Sequence, residues 1–221
     1  MKALHSWDVD VEEAVRIQET LKDRISLVKT FSEVTRIGGG DVAYFSRDQS
    51  VATVAVFSFP ELNLLDSESV SGKVDFPYIS GLFSFREGFL LIRAFQRLKA
   101  KPDVMMFDGQ GIAHPRGLGL ASHLGLWLDI PSIGCAKSPF FRMPIDIGTR
   151  RGDVQIISKD GRQIGAALRT KDKVKPVYVS PGHRIDLFAS VQLVLAACRG
   201  YRIPEPLRGA HQISHLLRRK S

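Results

Sequence analysis

The chain has 221 residues, 44% of them hydrophobic, which suffices for one domain with a substantial core and leads us to expect a single domain over 1–221. Thirty-one lysines and arginines against 23 acids leave a net charge of +8, which biases the surface toward polyanions such as nucleic acid or an anionic membrane. No apolar run reaches the span of a membrane helix, and the N-terminal stretch turns acidic at Asp8 and Asp10 before a signal-peptide core could form, so no membrane association and a cytoplasmic location are expected.

Residues from about Asp10 to Lys29 place Ala14, Val15, Leu21, Ile25 and Val28 at helical spacing, with Asp8 and Asp10 as candidate caps. "EVTRIGGGDVAYF", "SVATVAVFSF" and "ELNLLDSESVSGKV" carry β-branched and aromatic residues between polar turns, and predict an antiparallel meander. "LFSFREGFLLIRAFQRLKAK" has helical periodicity, ends in bases suited to the negative end of a helix dipole, and is stopped by Pro102. "DVMMFDG" then reads as a buried strand, "RGLGLASHLGLWLD" as a helix and "PSIGCAKS" as another buried strand, so strand and helix alternate as in parallel crossover units. "DVQIIS", "QIGAALRT" and "KPVYVSPG" predict further short strands, with "KDGR" turning between the first two, and helices near Asp186–Cys198 and Glu205–Lys220 close the chain. Cys135 and Cys198 stand in apolar contexts without metal-ligand spacing and are expected to be reduced core residues. The fold class is α/β: a mixed central sheet, an antiparallel meander followed by βαβ units, flanked by helices. That is the strand order of a ribonuclease H-like sheet.

Three acids stand where acids are costly. Asp108 ends the apolar strand "VMMF", Asp41 follows three glycines and precedes a hydrophobic stretch, and Glu87 lies in an apolar helical start. If the strands bearing the aspartates are neighbours, the two converge and the intervening helix can tilt Glu87 into the same space. Three carboxylates around one point repel, so a divalent cation is the natural fourth party, and hard oxygen ligands favour Mg²⁺ or Mn²⁺. Ions so held activate water for attack on phosphate. The dinucleotide and P-loop patterns, G-x-S-x-G and H-E-x-x-H are all missing. His114 is a candidate proton shuttle or phosphate contact and Lys137 a candidate phosphate partner, whereas His123 on an apolar helix reads as a core histidine.

Taken in order, "PYISGLFSFREG", "KPDVMMFDGQGIAHPRGLGLASHLGL", "IPSIGCAKS", "VSPGH" and "RIPEPLRGAH" resemble the endonuclease V family over about Val34 to Leu217. The resemblance implies a ribonuclease H-like fold and Mg²⁺-dependent hydrolysis, with Mn²⁺ as substitute. It further implies nicking at the second phosphodiester 3′ to deoxyinosine, leaving a 3′-hydroxyl and a 5′-phosphate. Asp41, Glu87 and Asp108 match the metal-binding carboxylates. His114 matches a histidine near the metal and the cleaved strand, Lys137 a lysine that reaches the phosphate, and His211 a C-terminal histidine close to the site. Tyr78, with Pro77, Ile79 and Ser80, lies in the segment resembling the strand-separating wedge, and Gly81, Gly109 and Gly111 in loops resembling the pocket for the extruded base. The sequence departs at Ser80, where the wedge commonly ends in proline, and in "SPFFRMPIDIGTRRGD". The expected partner is deoxyinosine-containing DNA, bound by a monomer. Inosine-containing RNA and a binder that does not cut are the alternatives, and retention of all three acids and the lysine favours the enzyme.

Overall fold

The computed structural model describes residues 3–219. Its first helix, α1 (Val11–Leu21), buries Ala14, Ile17, Gln18 and Leu21 on one face, and Asp10 caps it by accepting the Glu13 N–H at 2.8 Å. The helix stops well short of Lys29, in a single 3₁₀ turn over Lys22–Arg24. Beyond it the chain is recruited by a distant segment: Arg184 N–H donates to the Ser26 carbonyl at 2.6 Å and Thr30 N–H to the Arg184 carbonyl at 3.3 Å. Those tertiary bonds override the helical periodicity of Ile25 and Val28.

The predicted meander is present as β1 (Arg36–Tyr44), β2 (Gln49–Ser58) and β3 (Leu64–Lys73). β2 is buried almost throughout, while β3 fully buries only Val70, as suits an edge strand. Then α2 (Phe83–Arg97), β4 (Val104–Phe107), α3 (Leu120–Leu128) and β5 (Ser132–Ala136) form the crossover units, with β4 parallel to both β1 and β5. β6 (Val154–Lys159) and β7 (Arg162–Leu168) are joined by the expected tight turn, in which Asp160 and Gly161 both adopt positive φ. β8 (Val177–His183) pairs antiparallel with β7 and β5, giving one eight-stranded sheet in the order β3-β2-β1-β4-β5-β8-β7-β6. α4 (Leu187–Ala196) and α5 (Glu205–Arg218) follow, and Lys220 lies outside the described residues.

The sheet is packed on both faces. α2 and α3 cover one side, where Leu91, Leu124 and Trp127 meet Val54, Met105 and Phe107. α4 and α5 cover the other, where Val194, Leu207 and Ala210 meet Ile37, Met106 and Ile133. α1 lies apart, its Ala14, Ile17 and Leu21 packed with Leu82, Phe85 and Leu118. Strands buried on both faces explain why β4 and β5 read as continuous apolar runs rather than alternating ones. Cys135 and Cys198 are free and buried, and His123 is fully buried, as expected.

Candidate active site

In the parallel pairing of β1 with β4, Gly40 lies opposite Phe107, and each strand meets its aspartate at the next residue. Asp41 and Asp108 therefore emerge side by side where the parallel pairing stops, at the carboxyl end of β4, while β1 runs on to Tyr44 beside β2; open α/β sheets place their ligands at such strand ends. Glu87 enters from α2 and is 5% exposed. The Tyr44 hydroxyl donates to its Oε1 at 2.7 Å, and the Arg86 guanidinium sits over the Tyr44 ring at 4.8 Å while donating to the Phe76 and Arg47 carbonyls. Burial pushes the Glu87 carboxyl up to about 8; the Tyr44 bond opposes this, and the nearby charges of Asp41 and Asp108 add to it. Burial and the charge of Glu87 push the Tyr44 phenol up in turn.

Asp41 is held from the opposite side by α5. Ser214 Oγ donates to Asp41 Oδ2 at 2.5 Å, and His211 Nδ1 lies 3.3 Å from Oδ1. The rings of His211 and His215 are 4.0 Å apart at their centroids, and Asp41, His211 and His215 each offer a ligand atom within 4.8 Å of the others. α5 reaches this close because β1 carries no side chain at Gly39: a Cβ there would lie 2.2 Å from the backbone carbonyl of Pro206. The Lys137 ammonium pairs with Asp108 Oδ2.

A cleft of about 390 Å³ runs from these carboxylates to the loop after β3. Asp41, Glu87, Asp108, Lys137 and His114 line it, as do Tyr78, Ile79, Ser80, Gly81 and Gly109. Tyr78 projects with 76% exposure and meets Phe83 edge-on at 6.2 Å. Three predicted residues fall elsewhere. Pro77 is exposed beside the cleft, and His211 addresses Asp41 from α5 without lining the cavity. Gly111 is a packing glycine: its N–H donates to Ser180 Oγ at 2.6 Å, and a Cβ would lie 2.1 Å from the Pro181 carbonyl oxygen. Burial pulls the His114 imidazole down to about 4, and both its nitrogens are engaged, Nε2 with the Gly81 carbonyl at 3.0 Å and Nδ1 with the Arg116 N–H at 3.3 Å. Its task in this conformation is to hold a loop, because both nitrogens are already committed to protein partners and neither is left to exchange a proton with substrate.

Sequence reasoning missed Tyr44, Ser214, His215, Gln110 and Gln18. His215 lies one helical turn after His211, a spacing that was readable. Gln110 lines the cleft and donates to the Ser138 carbonyl at 3.1 Å. Nothing local marks Tyr44 or Ser214.

The sequence profile described as Endonuclease V matches residues 19–212. The endonuclease V of Gloeobacter violaceus is 45% identical over 221 residues, covering 98% of this chain and 90% of its own. The chain belongs to the endonuclease V family. The crystal structure of endonuclease V from Streptomyces avermitilis is 38% identical, with a TM-score of 0.91 over 97% of this chain and 96% of that one. Endonuclease V of Ciona intestinalis, solved in complex with a 23mer DNA containing an inosine followed by a ribo-adenosine, is 30% identical, with a TM-score of 0.85 over 96% and 99%. The ribonuclease H-like architecture expected from the strand order is thus the family's own. As an endonuclease V, the chain is a nuclease, a hydrolase acting on DNA, of a metal-dependent family. Among the described residues no helix is long and apolar enough to cross a membrane.

Proposed function

We propose that the chain nicks DNA at deoxyinosine, hydrolysing the second phosphodiester on the 3′ side of the lesion and leaving a 3′-hydroxyl and a 5′-phosphate. One observation carries this reading: a single cleft joins Asp41, Glu87 and Asp108 to an exposed aromatic, Tyr78, and to the small residues Gly81 and Gly109. Cutting and base capture thereby share one cavity. The inosine-containing DNA bound by the Ciona relative supports the same substrate.

The donor set fits a hard divalent cation. Glu87 is buried with two further acids in range, and burial, with their charges added, pushes its carboxyl up to about 8, so a cation at this point would be favoured. Asp41, Glu87 and Asp108 would hold Mg²⁺, with Mn²⁺ as substitute. When bound, such an ion polarises the scissile phosphate and lowers the pKa of the attacking water. The protein supplies the rest. Tyr44 fixes one oxygen of Glu87, which lines the cleft, and Ser214 and His211 orient Asp41. Lys137, now on Asp108, is placed to steady charge on the phosphate. Tyr78 fills the gap left by the extruded nucleotide, and main chain at Gly81 and Gly109 approaches hypoxanthine, whose O6 acceptor and N1 donor stand where adenine offers an amino group and an acceptor.

The deciding assay uses matched oligonucleotides carrying one deoxyinosine or one inosine, single- and double-stranded, with and without Mg²⁺. The expected result is an Mg²⁺-dependent nick one nucleotide beyond the lesion on the 3′ side, abolished by Asp108→Asn. Full activity of purified Asp108→Asn, or cleavage confined to inosine in RNA, would overturn the reading.

A further inference from the structure

The carbonyl of Gly81 is gripped by three side chains from two parts of the chain. Gln18 Nε2 donates to it at 2.9 Å, His114 Nε2 at 3.0 Å and Arg116 Nη2 at 2.8 Å. The donors are themselves interlocked. Arg116 Nε donates to Gln18 Oε1 at 2.5 Å, and the Arg116 N–H donates to His114 Nδ1 at 3.3 Å, which leaves the ring proton on Nε2, facing Gly81. Gln18 Nε2 also donates to the Leu118 carbonyl at 3.0 Å, so both polar ends of this 1% exposed side chain are satisfied and its amide can sit only one way round.

A carbonyl oxygen has two lone pairs, and one donor is enough to offset its burial. Three donors, one of them a guanidinium, exceed that need. What they add is immobility. The other end of the same peptide is also tied, the Leu82 N–H donating to the Ile79 carbonyl at 3.0 Å, and Gly81 is held at φ +81°. The loop needs such restraint. Ser80 is exposed and has no ring to limit its backbone, and Tyr78 projects into solvent.

We infer that Gln18 and Arg116 are positioning residues that set lesion selectivity by locking the Gly81 peptide before the base arrives. This inference rests on the proposed role of the Tyr78–Gly81 loop in reading deoxyinosine. A site that recognises a base through main chain has no rotamer with which to correct a misplaced group, so the position of the peptide is the specificity. Ordering the loop on binding would oppose affinity for the lesion, and a clamp made in the free protein removes that cost. It also gives α1 a task. Gln18 lies outside the residues 19–212 matched by the family profile, yet it reaches into the cleft that holds the three carboxylates.

The test uses Gln18→Met, which keeps side-chain length and removes all three hydrogen bonds, and Arg116→Lys, which keeps the charge and loses the fork that spans Gly81 and Gln18. Each is compared with wild type for kcat/KM on duplexes with deoxyinosine and with deoxyadenosine, for nicking rate at saturating enzyme, and for fluorescence of a 2-aminopurine placed beside the lesion. We expect the deoxyinosine preference to fall about tenfold, the scale of one buried charge-assisted hydrogen bond, through KM. The saturated nicking rate should fall by less than the selectivity does, the lesion-dependent rise in 2-aminopurine fluorescence should shrink, and Gln18→Glu, which still accepts from Arg116 but sets an acceptor oxygen against the Gly81 and Leu118 carbonyls, should lose selectivity as Gln18→Met does. Unchanged selectivity in folded Gln18→Met and Arg116→Lys would overturn the inference. So would equal losses in saturated rate and selectivity, or failure of both variants to fold, since each means that the network only supports the architecture. Wild type without a deoxyinosine preference would instead overturn the proposed function itself.

Discussion

Glu87 is raised above its unfolded value of 4.5 to about 8, so the folded protein carries a proton there that the unfolded chain has lost. That contribution to stability is full below pH 4.5 and is lost as pH rises through 8. His5, His114, His123 and His183 are all lowered by burial and act in the opposite sense, their contribution growing as pH rises toward 6.5. Between pH 6.5 and 8 Glu87 dominates, because His215 is lowered like the other histidines and the raised Cys135, Cys198 and Tyr44 begin to count only as pH nears the ordinary range of thiols and phenols. In chelator, urea unfolding should show stability falling by about 2 kcal/mol between pH 6.5 and 8, from 1.36 kcal/mol per pH unit. Mg²⁺ or Glu87→Gln should remove the fall, and Mg²⁺ binding at pH 7 should release a proton. A flat profile in chelator would show that Glu87 ionises freely. At Tyr78, truncation to alanine should lower deoxyinosine selectivity about tenfold, the scale of one base–aromatic contact. Ser80→Pro should tighten lesion binding if the loop's remaining freedom opposes it. Titrations on a deoxyinosine duplex check both, and weaker binding by the proline variant would mean that the loop uses the freedom of serine.

At the scale of elements, the carboxylates depend on a strand pair and two helices. β1 and β4 set the two aspartates side by side, α2 delivers Glu87, and α5 brings Ser214 and His211 to Asp41 across the gap left by Gly39. Gly39→Ala puts a Cβ against backbone atoms of Pro206 and Leu207, which cannot turn aside as a side chain would, so α5 must shift. We expect a loss of about 1–3 kcal/mol on urea unfolding, the usual scale of overpacking. Because the shift would carry Ser214 and His211 off Asp41, the Mn²⁺ concentration for half-maximal nicking should rise as well. Destabilisation with an unchanged metal requirement would show that α5 does not orient Asp41.

Over the whole molecule, the net charge of +8 predicts that affinity for undamaged duplex falls steeply with salt, the slope of log K against log salt being about −0.9 per phosphate neutralised. Filter binding between low and physiological salt measures it. A slope near zero would separate the basic surface from DNA altogether. The discrimination between deoxyinosine and deoxyadenosine should change far less over the same range, because it rests on contacts inside the cleft and not on the counterion atmosphere.

Much of this protein is local in origin. The meander, the crossover units and the turn at Asp160–Gly161 follow from periodicity, β-branching and glycine, whose preferences act over a few neighbours. Asp41, Glu87 and Asp108 were conspicuous for the same kind of reason, an acid at the edge of an apolar run. Contacts between distant residues were not readable. Ser214 reaches Asp41 across 173 positions and Gln18 reaches Gly81 across 63, and no spacing rule joins such pairs. The end of α1 was decided by bonds to Ser26 and Thr30 from Arg184, and Gly111 was assigned to the sheet by Ser180 and Pro181. The sequence by itself determined which residues could carry the chemistry, because residue type and local burial are written in short windows. Which of them face one cleft, and what holds them there, only the tertiary structure decided, because a hydrogen bond forms where the fold brings donor and acceptor within about 3 Å, whatever their separation along the chain.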